Sequence, residues 1–144
     1  MTEIFYDANL VRNLEKEHEV LIELFMRSLK EGHKRGNLDI LCDALFNFKN
    51  TFQNHLLKEN VKLFGYLEQS VKWHKNSFRR VREFRKELNN SSKEILNFCK
   101  RYERPIDALV MQELYEKEFI SVKNTLVHRI QLVETKMYPL YDVN

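Results

Sequence analysis

The chain has 144 residues, a formal net charge of +3 at neutral pH, three glycines and two prolines. This length fits a single domain, residues 1–144, that can bury a substantial core. Acidic and basic residues are interleaved, so the charge alone does not call for nucleic acid or a membrane as partner. Because glycine and proline are scarce, long helices are favoured over many short strands and turns, and we expect an all-α protein.

The cysteines and the N-terminal segment bear on the cellular compartment. Cys42 and Cys99 are too few and too far apart for a disulfide framework or a thiolate metal site, and both fall in helical patterns where a small buried residue is the commoner role. The first ten residues carry early acidic side chains and no apolar run long enough for a signal peptide or a membrane span. We therefore expect a cytoplasmic protein without membrane association.

Apolar residues at alternating steps of three and four predict the first two helices. The first is predicted over residues 7–31 and ends at the glycines of the segment GHKRGN. The second is predicted over residues 37–66, with Asn37 as its cap. Its apolar stripe includes His55 and Glu59, so these two polar side chains should face the core.

The second half of the chain predicts two further helices. The third covers residues 72–102, with a kink or break expected at residues 89–92, since Asn and Ser prefer caps to helix interiors. The fourth opens at Pro105 and continues to about residue 138, ahead of Pro139. Four long helices joined by short connections favour an antiparallel up-down four-helix bundle.

Polar residues interrupt the apolar stripes of three helices: His18 on the first, His55 and Glu59 on the second, and His74 on the third. Each of them alone is more readily explained as a core side chain with a hydrogen-bond partner, or for Glu59 with a Lys or Arg at an open end of the bundle. An unpaired buried carboxylate is costly, however. The coincidence of all four favours a recurrent solution in bundles, a metal ion held by inward-facing His and Glu.

Three stretches resemble the hemerythrin-like, or HHE cation-binding, family: LEKEHEVLIELF around His18, FKNTFQNHLLKENVKLFGYL around His55 and Glu59, and HRIQLVETKMYPLY near the end. The resemblance spans nearly the whole chain and implies a four-helix bundle with a non-haem di-iron centre. It implies metal ligands at His18, His55 and Glu59, and a metal-bridging carboxylate at Glu134. His74 is a further candidate ligand.

Two positions depart from the pattern of this family. Its third helix usually carries two histidines four residues apart, and here His74 is followed by Phe78. Its last helix has a histidine five residues before the bridging carboxylate, and here Arg129 stands in that place. Arginine stays protonated and cannot coordinate iron, but it can form a bidentate pair with Glu59 or Glu134. A single iron, a weaker site for two metal ions completed by solvent ligands, and a metal-free site filled by an Arg–Glu ion pair all remain open.

Two functions follow from this interpretation. The first is a hemerythrin-like protein that binds iron or another divalent metal in the bundle core, for oxygen, redox or iron sensing, with dioxygen as a further ligand. The alternative is a metal-free regulatory or adaptor bundle with a degenerate site and a protein partner. Nucleic-acid binding through the basic third helix is disfavoured by nearby acidic residues. The sequence has no nucleophile and base pattern and no phosphate loop, so we do not expect an enzyme. Self-association stays open.

Overall fold

The computed structural model describes residues 3–142, most of which are helical. In chain order the helices are α1 (Leu10–Arg27), α2 (Leu38–Lys58), α3 (Gly65–Val71), α4 (Lys75–Arg101), α5 (Pro105–Val110), α6 (Gln112–Leu132) and α7 (Tyr138–Asp142). Turns of π-helix extend α1 (Ser28–Gly32), join α2 to α3 (Glu59–Phe64) and join α6 to α7 (Val133–Met137). Over the described range the chain therefore forms four long helical segments, which are α1 with its π turn, α2 to α3, α4, and α6 to α7. No helix within residues 3–142 has the length and apolar character needed to cross a membrane.

The buried apolar side chains form two separate clusters, whose order along the chain gives the direction of each segment. One, the aromatic core, includes Leu21, Phe25, Phe48, Phe52, Ile95, Phe98, Phe119 and Leu126. The other, the terminal core, includes Leu10, Leu14, Leu63, Val81, Leu88, Val133, Met137 and Tyr141. The first and third segments run from the terminal core to the aromatic core, and the second and fourth return. This alternation is the expected antiparallel up-down bundle.

Phe25 of α1 is at the centre of the aromatic core. Its ring stacks on Phe119 of α6, with centroids 4.7 Å apart, and packs at an angle against Phe48 of α2 at 5.1 Å and Phe98 of α4 at 5.7 Å. Offset-stacked and tilted ring pairs at these separations are favourable beyond the area they bury. One aromatic ring from each of the four segments therefore fixes their spacing in this half of the bundle.

The connection between the first two segments is short and tightly packed. Gly36 adopts a left-handed conformation with φ of 64°, and the next residue, Asn37, caps α2 through a hydrogen bond from the Ile40 amide to its side chain at 3.0 Å. The predicted cap of the second helix is thus confirmed. At Gly32 a β-carbon would come within 2.6 Å of the Cα atom of Leu41, so glycine permits the close approach of the two segments.

The structure corrects three expectations about helix ends in the second half of the chain. Helix α4 starts only after His74, whose backbone is extended (φ −109°, ψ 92°). It then runs unbroken through residues 89–92, where the Ser92 hydroxyl donates to the Leu88 carbonyl at 2.8 Å and is satisfied within the helix. The single helix predicted from Pro105 is divided at Met111 into α5 and α6.

Candidate metal centre

A polar layer separates the two apolar cores. Its members are His18 of α1, His55 of α2, Glu59 of the following π turn, Ser92 of α4 and Arg129 of α6, and all five are buried. Along each segment these residues stand between positions that belong to different cores. All four helical segments therefore bring polar atoms to the same level of the bundle.

Arg129 and Glu59 form a buried ion pair in this layer. The Arg129 Nη2 atom donates to Glu59 Oε1 at 2.6 Å, and Nη1 lies 3.4 Å from Oε2. The Arg129 Nε atom donates to the Ser92 hydroxyl at 2.9 Å, and the guanidinium carbon lies 5.6 Å from the centre of the Phe52 ring. Of the two partners that the sequence left open for Arg129, the structure selects Glu59 rather than Glu134.

The surroundings set the protonation states of two residues in the layer. Burial by itself would raise the pKa of Glu59, but the contact with His55 and the charge and hydrogen bonds of Arg129 outweigh it and lower the pKa to about 2. Burial lowers the pKa of His18 below its usual value, although the Glu134 carboxylate opposes this effect. A carboxylate and a neutral imidazole are the forms that coordinate metal ions.

Each buried histidine has a carboxylate on its Nδ1 atom. Nδ1 of His18 lies 2.7 Å from Glu134 Oε2, and Nδ1 of His55 lies 2.8 Å from Glu17 Oε1. Because an ionised carboxylate only accepts hydrogen bonds, the proton of each ring belongs on Nδ1. The Nε2 atoms are then left for the interior of the layer, where the two rings lie 4.8 Å apart.

His18, His55 and Glu59 together fit one divalent ion. Each offers one ligand atom, and these atoms all lie within 4.8 Å of one another. Two imidazoles and one carboxylate with further positions open are typical of mononuclear non-haem iron. In addition, His55 Nε2 faces Glu59 Oε2 at 3.2 Å, and with Nδ1 already donating, these two atoms need a proton or a cation between them.

The same residues do not fit two ions. Glu59 Oε1 is engaged by Arg129, so the carboxylate cannot bridge a metal pair while the ion pair lasts. On α4 the residues that meet Arg129 are Leu88, through its carbonyl at 3.4 Å, and Ser92, and neither offers an imidazole. The donor set therefore departs from a di-iron centre at Glu59, which cannot bridge two ions, and on α4, which offers no imidazole there.

The structure does not bring His74 or Phe78 to the layer. His74 is exposed ahead of α4, and Phe78 is half-buried beneath the Arg82 guanidinium at 5.6 Å. The reason is that the second segment continues past its predicted end to Val71, about 18 Å beyond Glu59 at 1.5 Å per residue. The third segment therefore starts at the far end of the bundle. At the level of the polar layer, α4 presents Leu88 and Ser92, four residues apart, instead of two histidines.

Sequence reasoning did not single out Glu17, Ser92 or Tyr138. Glu17 is half-buried beside the apolar stripe and binds Lys58 through Oε2 at 2.5 Å as well as His55 through Oε1. The Tyr138 hydroxyl lies 3.4 Å from His18 Nε2, and their rings are nearly parallel. The contacts of Glu17, Ser92 and Tyr138 depend on how the segments are rotated against each other, and periodicity within one helix does not report this rotation.

The comparison with known families agrees with this geometry. The family model of the hemerythrin HHE cation binding domain matches residues 9–141, a range that includes every residue of the polar layer. No curated protein and no solved structure matches the chain. The chain belongs to the hemerythrin family of HHE cation-binding domains.

Proposed function

We propose that the chain binds one divalent metal ion, with iron as the first candidate, through His18 Nε2, His55 Nε2 and Glu59 Oε2. The observation that carries this proposal is the convergence of three ligand atoms within 4.8 Å, buried inside a cation-binding domain. The family match supports cation binding. Because Arg129 engages Glu59 Oε1, only Oε2 is left for a metal ion, which supports one ion per chain.

In this proposal Arg129 takes the place of a second cation. Its guanidinium neutralises Glu59 from the Oε1 side and leaves Oε2 for the ion. A ferrous ion held by His18, His55 and Glu59 would supply dioxygen binding or a one-electron redox change. We therefore propose a role in oxygen, redox or iron sensing rather than catalysis, since no nucleophile and base pattern accompanies the site.

The test is reconstitution of untagged, chelator-treated protein with ferrous iron without oxygen, followed by metal analysis by mass spectrometry. We expect about one iron per chain and a higher midpoint of thermal unfolding, since an ion at 100 times its dissociation constant adds about 2.7 kcal/mol of stability. His55→Ala and Glu59→Gln should lose both effects. His128→Ala, which alters an exposed histidine, is the matched control and should keep them. Two irons per chain, or no more iron than the His55→Ala background, would contradict the proposal.

The second candidate is a metal-free regulatory or adaptor bundle. It is favoured by one observation: within residues 3–142, every buried side-chain nitrogen and oxygen has a hydrogen-bond partner without any ion. The Arg129–Glu59 pair would then be a structural element of the core. Under this alternative, iron would change neither the bound-metal content nor the unfolding midpoint of the wild-type protein, and its function would lie in a protein partner.

A further inference from the structure

The two buried histidines are oriented by carboxylates that reach them from the edge of the bundle. Glu134 comes from the π turn after α6 to His18 on α1, and Glu17 comes from α1 to His55 on α2. The histidine side chains are 3% and 1% exposed, whereas those of Glu134 and Glu17 are 36% and 25% exposed. Each contact thus joins two helical segments and links a buried ring to a partly exposed carboxylate.

A carboxylate on Nδ1 decides which ring nitrogen can bind a metal ion. A neutral imidazole carries one proton, and only the nitrogen without it has a free lone pair. When Nδ1 donates to a carboxylate, Nε2 carries the lone pair and the rotation of the ring is fixed. Without that partner, the proton can move to Nε2 and block it.

Glu17 is itself held in place from two sides. Its Oε1 accepts from His55 and its Oε2 accepts from Lys58 at 2.5 Å, so both carboxylate oxygens are engaged. Glu17 therefore stays an acceptor for the proton on His55 Nδ1.

Glu134 contacts the side of the His18 ring that faces away from Nε2. Its Oε2 is 2.7 Å from Nδ1, while the Tyr138 hydroxyl lies on the Nε2 side at 3.4 Å. The two ring nitrogens point away from each other, so a carboxylate that holds Nδ1 is badly placed to ligate an ion on Nε2. The place of Glu134 is that of an orienting partner.

We infer that Glu17 and Glu134 are positioning residues that keep Nε2 of His55 and of His18 directed at the metal site, and that Glu134 is not a ligand. The inference rests on the proposed function. Partners of this kind change metal affinity by about 10–100-fold when removed. Removal of a true ligand abolishes binding instead.

The first readout needs no metal. Long-range ¹⁵N–¹H NMR spectra of the metal-free protein report which nitrogen of each histidine is protonated. We expect Nδ1–H for His18 and His55 in the wild type. Glu17→Ala should change the signals of His55 and leave those of His18 unchanged. Glu134→Ala should change the signals of His18 and leave those of His55 unchanged. Glu17→Gln, whose amide oxygen still accepts a hydrogen bond, should keep the wild-type pattern, as should Glu19→Ala at an exposed position of α1.

The second readout is affinity for Zn²⁺, an air-stable probe, measured by calorimetry. Glu17→Ala and Glu134→Ala should weaken binding by about 10–100-fold with the stoichiometry unchanged. Loss of all binding in Glu134→Ala, as in His55→Ala, would make Glu134 a ligand and overturn the inference. Unchanged histidine signals in both alanine variants would overturn it as well. Failure of the wild type to bind metal would instead count against the proposed function, because the NMR result is independent of metal.

Discussion

Arg129 and Glu59 form a doubly hydrogen-bonded ion pair inside the bundle, and each side chain is only 1% exposed. Both charges have left water, so the cost of desolvation offsets much of their attraction. The pair persists because the guanidinium also donates to Ser92 and lies over the Phe52 ring. Substitution of one partner alone should therefore lower the stability of the fold far more than substitution of both.

Arg129→Ala should lower the free energy of unfolding by about 3–5 kcal/mol, because it leaves Glu59 as an unpaired buried charge. Adding Glu59→Gln should recover part of this loss, since a neutral amide is less costly to bury than a carboxylate. Urea unfolding of chelator-treated protein measures both changes. If the losses from the two single variants simply add in the double variant, the two residues are not coupled and the argument fails.

The fold was predictable because helical periodicity identifies the buried face of each segment. The stripes place His18, His55 and Glu59 inside, and the structure buries all three. The length of the second segment was not predictable from the same pattern. The π turn Glu59–Phe64 carries the chain straight into α3, where a helix end had been expected near residue 66. Because the second segment is longer than predicted, His74 lies at the end of the bundle.

The partners of the buried histidines were less accessible to sequence reasoning. Glu17 is off the apolar stripe of its helix, and Ser92 belongs to a stretch that reads as a helix break. Both are fixed by contacts between segments, Glu17 with His55 and Ser92 with Arg129. Such contacts depend on the rotation and height of one helix relative to another, which the spacing within one helix leaves undetermined.

The combined substitution of Arg129→His and Ser92→His should raise the number of bound ferrous ions from one to two per chain. The two side chains are in contact at 2.9 Å, and imidazoles there would add ligands and release Glu59 Oε1. Metal analysis by mass spectrometry gives the count. Arg129→Met removes the guanidinium without adding a ligand and should stay at one. A folded double variant that still binds one ion would contradict the idea that Arg129 holds the second metal's place.

The two cysteines should be inert in the folded protein. Burial, with the charges of Asp39 and Asp107, raises the pKa of Cys42 to about 11, and burial raises the pKa of Cys99 to about 12. At pH 8 both therefore remain thiols, and both are shielded from reagents. A chromogenic disulfide reagent should detect no thiol in native protein and two per chain in urea. Rapid reaction of either thiol without urea would show that the aromatic core opens locally.

Gly32 and Gly36 should respond differently to alanine although they are four residues apart. At Gly32 the new β-carbon would come within 2.6 Å of the Leu41 Cα atom, and a backbone atom cannot rotate away. The expected loss is about 3 kcal/mol, at the upper end of the range for overpacking. Gly36 faces open space but has φ of 64°, so Gly36→Ala should cost about 1 kcal/mol.

Urea unfolding of both glycine variants tests this difference, with Gly36→Asn as the matched control. Asparagine tolerates the left-handed conformation better than alanine, so Gly36→Asn should be closer to wild type than Gly36→Ala. Equal losses at Gly32 and Gly36 would mean that the first two segments separate easily at this end. The larger loss at Gly32 would instead show that their close approach is a fixed part of the bundle, which holds His18 and His55 at the same level.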